Sequence, residues 1–244
     1  MDTPRLSIIT VCFNASKSIG ETMESVADLA FRDIEHLIID GKSTDDTLSV
    51  VERFRNPTTR VVSEKDSGIY DAMNKGLAMS RGEFVLFLNA GDSIADRDFL
   101  NRLTWEDDFY YGGVVIRAGD KVVKRDMPAV FFPPIRSLFS QIACHQCMLV
   151  RKTHSPPYNL RYRLTADLDW SIRILRRPGL RKKRVESYWV NYELDGLSTR
   201  NADRCWDERI VIIRAHFGAW TVPVSRVVRA WYASKAIARA ILKR

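Results

Sequence analysis

Two rhythms of apolar residues run along this chain. Between residues 6 and 88, short apolar runs alternate with segments whose apolar side chains recur every three or four positions, the pattern of strands alternating with amphipathic helices. Leu6 to Phe13 is a β-branched strand that stops at Asn14, Ala15 and Ser16, and Ile19, Met23, Val26 and Ala30 follow at helical spacing. His36 to Asp40 predicts a second strand, after which Gly41-Lys42-Ser43-Thr44-Asp45-Asp46 supplies turn and N-cap residues for a helix through Val50, Val51 and Phe54. Arg60 to Ser63 predicts a third strand, and Glu64 to Gly76 leads into a third helix ending near Arg81-Gly82. Phe84 to Leu88 is apolar without interruption. Five such residues are too few for a helix that buries one stripe, and they suit a central strand covered on both faces.

Four strands and three helices in alternation predict an α/β fold with a parallel, doubly wound sheet. Asn14, Asp40, Glu64 with Asp66, and Asn89 with Asp92 then stand at the strands' carboxyl ends, the rim where open α/β sheets bind ligands. The chain has no G-x-G-x-x-G after its first strand and no Walker lysine loop, so neither a dinucleotide cofactor nor ATP cleavage is favoured. Asp92, in the turn Asn89-Ala90-Gly91-Asp92, can give a hard cation an oxygen ligand beside a phosphate. A plain turn capped by Asn and Asp has the same residues.

The second half is less regular. Phe109 to Arg117 and Lys121 to Arg125, separated by Ala118-Gly119-Asp120, predict a hairpin. Residues 127 to 142, with Phe131, Phe132, Pro133 and Pro134, read as a loop and short helix. Cys144-His145-Gln146-Cys147 has C-x-x-C spacing, but no second pair at ligand spacing completes a closed zinc site. Tyr162 to Trp170 enters a helix carrying Ile172 and Ile174, and Arg173 to Arg184 holds seven basic residues and no acid. A strand over Val185 to Tyr192 and a helix over Asp203 to Phe217 follow. The tail from Val222 to Arg244 places Val224, Val227, Val228, Trp231, Ala238, Ile241 and Leu242 on one helical face and Arg226, Arg229, Arg239 and Lys243 on the other, with no acid. Such a helix can lie in the interface of an anionic bilayer, or pack on its own domain with a solvated basic face.

Composition narrows the classes. The 244 residues, 45% hydrophobic and 28% charged, are those of a globular chain with a sizeable core, and the formal charge of +8 calls for an anionic partner. The four cysteines make no disulfide framework in a chain of this length, a reduced cytoplasmic setting is expected, and the short polar start predicts no export leader. No apolar run approaches the ~20 residues of a spanning helix. The basic run lacks interleaved aromatics and any nucleic-acid-binding module, so no nucleic acid is expected, although such binding is the rival reading of the charge.

Four stretches in order, Ser7-Ile-Ile-Thr-Val-Cys-Phe-Asn14, Ile38-Ile-Asp-Gly-Lys-Ser-Thr-Asp-Asp-Thr47, Ser63-Glu-Lys-Asp-Ser-Gly-Ile-Tyr-Asp-Ala-Met-Asn-Lys-Gly76 and Leu88-Asn-Ala-Gly-Asp92, resemble glycosyltransferase family 2, and within it the bacterial colanic-acid and exopolysaccharide enzymes. The resemblance implies a GT-A fold, a mostly parallel central sheet flanked by helices with a C-terminal helical appendage. It implies inverting transfer from a nucleotide-diphosphate sugar with the help of Mn2+ or Mg2+. By the same resemblance Asp92 is the metal-bound carboxylate, Asp40 meets the donor's base or ribose, and Asn14, Asp66, Asp71, Asn74, Lys75 and Asn89 line the donor site. Asp167, at a helix start, takes the place of the catalytic base, with Asp169 as runner-up and simple helix capping as the bland reading. His145 and Gln146 are candidates to meet the sugar or acceptor, or to serve as structural hydrogen-bonding residues, and Asp195 to Arg200 resembles a late turn from which Arg200 could reach the diphosphate. The chain departs from the family at Gly41 and Asn89, where many relatives carry carboxylates, and a catalytically silent glycan- or lipid-binding relative is the second reading. The expected layout is a domain over 1–218, split into a nucleotide-sugar half (1–105) and an acceptor half (106–218), and a basic amphipathic helix over 219–244. Its partners would be a glycan or polyprenyl-diphosphate-linked acceptor and an anionic membrane surface, which places it peripherally on the cytoplasmic face of a bacterial inner membrane.

Overall fold

The computed structural model describes residues 3–130, 133–138, 144–194 and 201–241, with side chains through residue 234. Its first half alternates strand and helix: β1 (Leu6–Cys12), α1 (Ile19–Ala27), β2 (Ile34–Asp40), α2 (Thr47–Phe54), β3 (Thr59–Ser63), α3 (Ile69–Met79) and β4 (Phe84–Phe87). The second half contributes β5 (Ser93–Ile94), the hairpin β6 (Phe109–Ala118) and β7 (Lys121–Asp126), β8 (Met148–Arg151), α4 (Ala166–Leu175), β9 (Lys182–Glu193), α5 (Ala202–Phe217) and α6 (Thr221–Ile241).

All nine strands join one sheet in the order β3-β2-β1-β4-β8-β6-β9-β5, with β7 paired to β6. The strands of the first half run parallel, as do β6 and β9, while β8 enters antiparallel between β4 and β6. Phe84 to Leu88 are fully buried because both faces of the sheet are covered. Side chains alternate across a strand, so Val85 and Phe87 join Ile9 and Val11 in the core under α3 and α4, and Phe84 and Leu86 join Leu6, Ile8 and Trp189 on the other face.

Gly76 explains how closely α3 lies on β1. A Cβ there would stand 2.4 Å from the Ile9 Cγ2 methyl and 3.2 Å from Ile39, so only hydrogen allows this spacing.

The basic run from Arg173 to Arg184 does not form one stripe. Arg173 pairs with Asp169 at 2.7 Å, Arg181 with Asp108 at 3.4 Å, and Arg184 with Glu186. Asp169 and Glu186 flank the run in sequence, whereas Asp108 is brought to Arg181 from 73 residues away by the fold.

At the C-terminus, α5 and α6 pack side by side: Arg229 of α6 reaches Asp207 at 2.6 Å and Asp203 at 3.0 Å, and Trp206 meets Tyr232 with ring centroids 5.6 Å apart. Thr221 and Ser225 turn inward, whereas Val227 and Trp231 of the expected apolar face are 69% and 52% exposed. Arg229, expected on a solvated basic face, is instead ion-paired, since α5 presents two carboxylates one turn apart. No helix among the described residues is long and apolar enough to cross a membrane.

Candidate active site

The carboxyl ends of β1 to β4 form the rim. Beyond β1, Phe13 projects outward at 62% exposure, and Asn14 adopts the left-handed region (φ 48°), where its Oδ1 accepts the Thr44 amide at 2.9 Å. The Asn14 amide in turn donates to Ser43 Oγ at 2.8 Å. Asn14 thus fastens the end of β1 to the turn after β2.

Asp40 ends β2 fully buried, its carboxylate accepting from the Ser43 amide at 3.1 Å, the Ser43 hydroxyl, and Ser63 Oγ at 2.6 Å. These bonds fold the Gly41 to Thr44 turn and tie it to β3. Gly41 is needed for a close approach: a Cβ on it would stand 2.5 Å from Asp66 Oδ2. Asp66 thus stands against the turn after β2, and its other oxygen accepts the Gly68 amide at 2.9 Å.

The rest of the long third motif folds back on itself. Asp71 accepts the Ser67 amide at 2.8 Å and its hydroxyl at 3.0 Å, and these bonds hold its carboxyl below the usual range. Lys75 Nζ donates to the Lys65 carbonyl at 2.7 Å and pairs with Glu64 at 3.0 Å. Asn74 points away from the rim, bonding both the carbonyl (2.9 Å) and the amide (2.6 Å) of Tyr158. Of this set, Asp66 is brought against the β2 turn, whereas Asn74 docks the segment before α4.

The turn after β4 presents Asp92. Gly91 (φ 101°) lets the chain reverse, the Asp92 amide donates to the Asn89 carbonyl at 3.0 Å, and Thr22 of α1 clamps the turn through its hydroxyl to the Gly91 amide and Asp92 carbonyl. The Asp92 carboxylate, 5% exposed, accepts Gln146 Nε2 at 2.9 Å and the Glu193 amide at 3.1 Å. Burial pushes its carboxyl up to about 6, against the pull of those two bonds and of His145. The buried Asn89 Oδ1 has no hydrogen-bond partner among the described residues.

These oxygens fit a hard divalent cation whose shell is completed elsewhere: one buried carboxylate and one orphaned amide oxygen on a four-residue turn. Among the described residues no group of three or more His, Cys, Asp and Glu stands ready to hold a metal, so diphosphate oxygens and water would have to supply the remaining positions. Cys144 and Cys147 are free thiols, and Cys147 donates to the Gly113 carbonyl at 3.2 Å.

His145 and Gln146 begin a 3-10 turn, His145–Cys147, that leads into β8. Gln146 reaches Asp92, and His145 Nδ1 lies 3.4 Å from Asp167 Oδ2. Asp167 opens α4, where the helix dipole favours an anion. Its Oδ1 accepts the Tyr70 hydroxyl at 3.2 Å, and although burial opposes ionisation, His145 and Tyr70 hold the carboxyl below its usual range. Asp169, two residues on, is spent between Arg173 at 2.7 Å and His216 of α5 at 2.8 Å, clamping α4 to α5. Arg200 lies outside the described residues.

Sequence reading passed over three participants. Tyr70 sat inside a motif without being singled out. Phe13 reads as the end of a strand, although the polar residues that follow it mark the rim. Glu208 of α5 accepts the amides of Arg163 (2.6 Å), Leu164 (2.9 Å) and Thr165 (2.6 Å), fixing the entry to α4, and nothing in the sequence signals a cap supplied from a helix about forty residues on.

A mixed sheet with helices on both faces and a polar rim at β1 to β4 is the GT-A architecture of nucleotide-sugar transferases. Solved structures agree in fold. Staphylococcus aureus TarS (residues 1–349) superposes with a TM-score of 0.66 over 91% of this chain and 69% of that one at 18% identity. The mannosyltransferase PcManGT of Pyrobaculum calidifontis, in complex with GDP-Man and Mn2+, gives 0.62 over 96% and 76% at 17% identity. The model of Glycosyl transferase family 2 matches residues 7–182. A PGL/p-HBAD biosynthesis glycosyltransferase of Mycobacterium bovis is 32% identical over 257 aligned positions, covering 100% of this chain and 96% of the relative. The chain belongs to glycosyltransferase family 2, and it is a glycosyltransferase.

Proposed function

We propose that this protein transfers a sugar, with inversion, from a nucleotide-diphosphate sugar to a hydroxyl of a glycan or lipid-linked glycan during assembly of a bacterial cell-surface polysaccharide of the exopolysaccharide type. One observation carries the reading. Consecutive residues His145 and Gln146 hold the two carboxylates the chemistry needs, Asp167 and Asp92, at opposite ends of one short turn. Inverting transfer is an in-line displacement, so the acceptor hydroxyl must lose its proton on the face opposite the leaving diphosphate. Asp167, ionised, provides that base function, and Asp92 with the Asn89 amide oxygen would hold Mn2+ or Mg2+ at the diphosphate end. The cation, when bound, offsets the negative charge that grows on the leaving diphosphate.

The rim of Asn14, Asp40, Asp66 and the exposed Phe13 receives the nucleoside. UDP and UDP-GlcNAc complexes of TarS, and the GDP-Man and Mn2+ complex of PcManGT, support a donor of this class. The name of the 32% identical relative, and that of TarS as a poly(ribitol-phosphate) beta-N-acetylglucosaminyltransferase, support an acceptor that is itself a cell-envelope glycan or glycolipid. The α6 appendage brings the enzyme to an anionic membrane face, where a polyprenyl-diphosphate-linked acceptor would be found. In support, Trp220 and Trp231 are exposed and no acidic residue follows Glu208 in the chain.

The test is thermal stabilisation by UDP, GDP, dTDP and CDP, each with and without Mn2+, because a ligand that binds only the folded state raises the midpoint. A shift with one nucleotide that needs Mn2+ and vanishes in Asp92→Asn is the expected result. The uncharged Asn89 favours a second reading, a silent relative: metal-dependent stabilisation with no transfer or hydrolysis of the donor would select it. No stabilisation by any of the four would overturn the transfer reading.

A further inference from the structure

His145 is held more tightly than substrate contact alone requires. The residue is 8% exposed, with Nδ1 against Asp167 Oδ2 at 3.4 Å and the backbone leading at once into Gln146, which is bonded to Asp92 at 2.9 Å. Tyr70 takes the other oxygen of Asp167 at 3.2 Å and fixes the carboxylate's orientation. The second ring nitrogen, Nε2, is buried and has no hydrogen-bond partner among the described residues. A neutral imidazole has one N–H and one lone pair. The carboxylate facing Nδ1 selects the tautomer with the proton on that nitrogen and leaves the lone pair on Nε2. Native proteins satisfy their buried polar atoms, so a buried lone pair without a donor marks the place of a ligand's O–H or N–H. In a sugar transferase the group with a proton to give is the acceptor hydroxyl.

Resting on the sugar-transfer reading above, we infer that His145 takes the acceptor's proton at Nε2 and that Asp167 exerts its base function through the imidazole. In the displacement the acceptor O–H bond breaks as its proton passes to Nε2, and the bond from that oxygen to the anomeric carbon forms. The bond from the anomeric carbon to the diphosphate oxygen breaks, its electron pair leaving with the nucleoside diphosphate. The imidazolium keeps its Nδ1 proton against Asp167, whose negative charge offsets the new positive one, the division of labour between a base and its orienting carboxylate. His145 is then a catalytic residue, and Asp167 and Tyr70 position it. The charged and titratable groups around the ring include Asp167 from α4 and Asp92 from the turn after β4; Tyr70 of α3, Tyr158, and Cys205 and Arg209 of α5 act on the first, and Glu193 of β9 and Cys144 on the second.

The experiment is nucleoside diphosphate release from the donor sugar whose nucleotide stabilises the protein, with water as acceptor, across pH in the wild type, His145→Gln and Asp167→Asn. Both variants should lose about a hundredfold or more in kcat with donor KM within about threefold, and the acidic limb of the wild-type profile should vanish in His145→Gln. Turnover and acidic limb retained in His145→Gln but lost in Asp167→Asn would overturn the inference and leave the transfer reading standing, with Asp167 acting directly. Turnover retained in both variants would overturn the two together. A readout on the wild-type protein guards against a variant that misfolds: long-range 1H–15N correlation of the His145 ring should find the proton on Nδ1, and a proton resident on Nε2 would overturn the inference.

Discussion

Asp92 is the residue whose environment most changes its chemistry. Its folded carboxyl, pushed up to about 6, lies above the ordinary 3.8, so the folded metal-free protein holds a proton between those values that the unfolded chain has released. The stability this confers is fully present below 3.8 and is lost as pH rises through about 6, an effect of about 3 kcal/mol. The thermal midpoint of the metal-free protein should accordingly fall between pH 5 and about 7, and Asp92→Asn should flatten that dependence. Proton and cation compete for the same oxygens, so stabilisation by Mn2+ should weaken as pH drops through about 6. A Mn2+ effect that is constant from pH 5 to about 8 would separate the cation from Asp92. Gly41 makes a second case at this scale. Gly41→Ala drives a methyl carbon into Asp66 Oδ2, 2.5 Å away, and should weaken nucleotide binding measured by calorimetry while β2 itself stays intact. Unchanged affinity would remove Asp66 from the donor rim.

At the scale of elements, the close seat of α3 on β1 is the contact that fixes where the third motif lies. Gly76→Ala would overpack the Ile9 and Ile39 side chains and cost about 1–3 kcal/mol, a drop of several degrees in midpoint. An unchanged midpoint would mean that the helix can lift off the sheet without loss. The entry to α4 depends in the same way on another element, through the Glu208 carboxylate and its three backbone amides. Glu208→Ala should therefore lower stability and, because Asp167 opens that helix, lower kcat more than donor affinity. Equal losses in kcat and donor affinity would mean that the cap serves the whole fold and not the placement of Asp167.

For the whole molecule, the net charge of +8 matters through its distribution. In the run from 173 to 184, Arg173, Arg181 and Arg184 are ion-paired with Asp169, Asp108 and Glu186, whereas the stretch after Glu208 carries no acid and sets its basic residues beside exposed Trp220, Val227 and Trp231. Vesicles containing phosphatidylglycerol should bind the protein at low salt and release it as salt rises, and the double variant Trp220→Ser, Trp231→Ser should bind at least about tenfold more weakly. Equal sedimentation with neutral and anionic vesicles would remove the membrane from the proposal.

The sequence by itself determined what local patterns encode. Short apolar runs and period-3.6 apolar spacing marked β1 to β4 and their helices, an unbroken apolar run marked the strand buried on both faces, and ordered motifs at the strand ends marked the rim and the family. Strand ends are legible because the change from apolar to polar residues is abrupt there. The tertiary structure alone decided which motif residues face one another. Asn74, Asp71 and Lys75 read as rim residues, yet their bonds are to Tyr158, Ser67, Lys65 and Glu64, because the motif must first fold its own loop. Asp169 and Asp167 are alike in sequence. They part in the fold because residues two apart on a helix face different neighbours, Arg173 and His216 for one, His145 and Tyr70 for the other. The pairing of His145 with Asp167 and of Gln146 with Asp92 is set by β8 entering the sheet beside β4, a long-range placement that no spacing along the chain records.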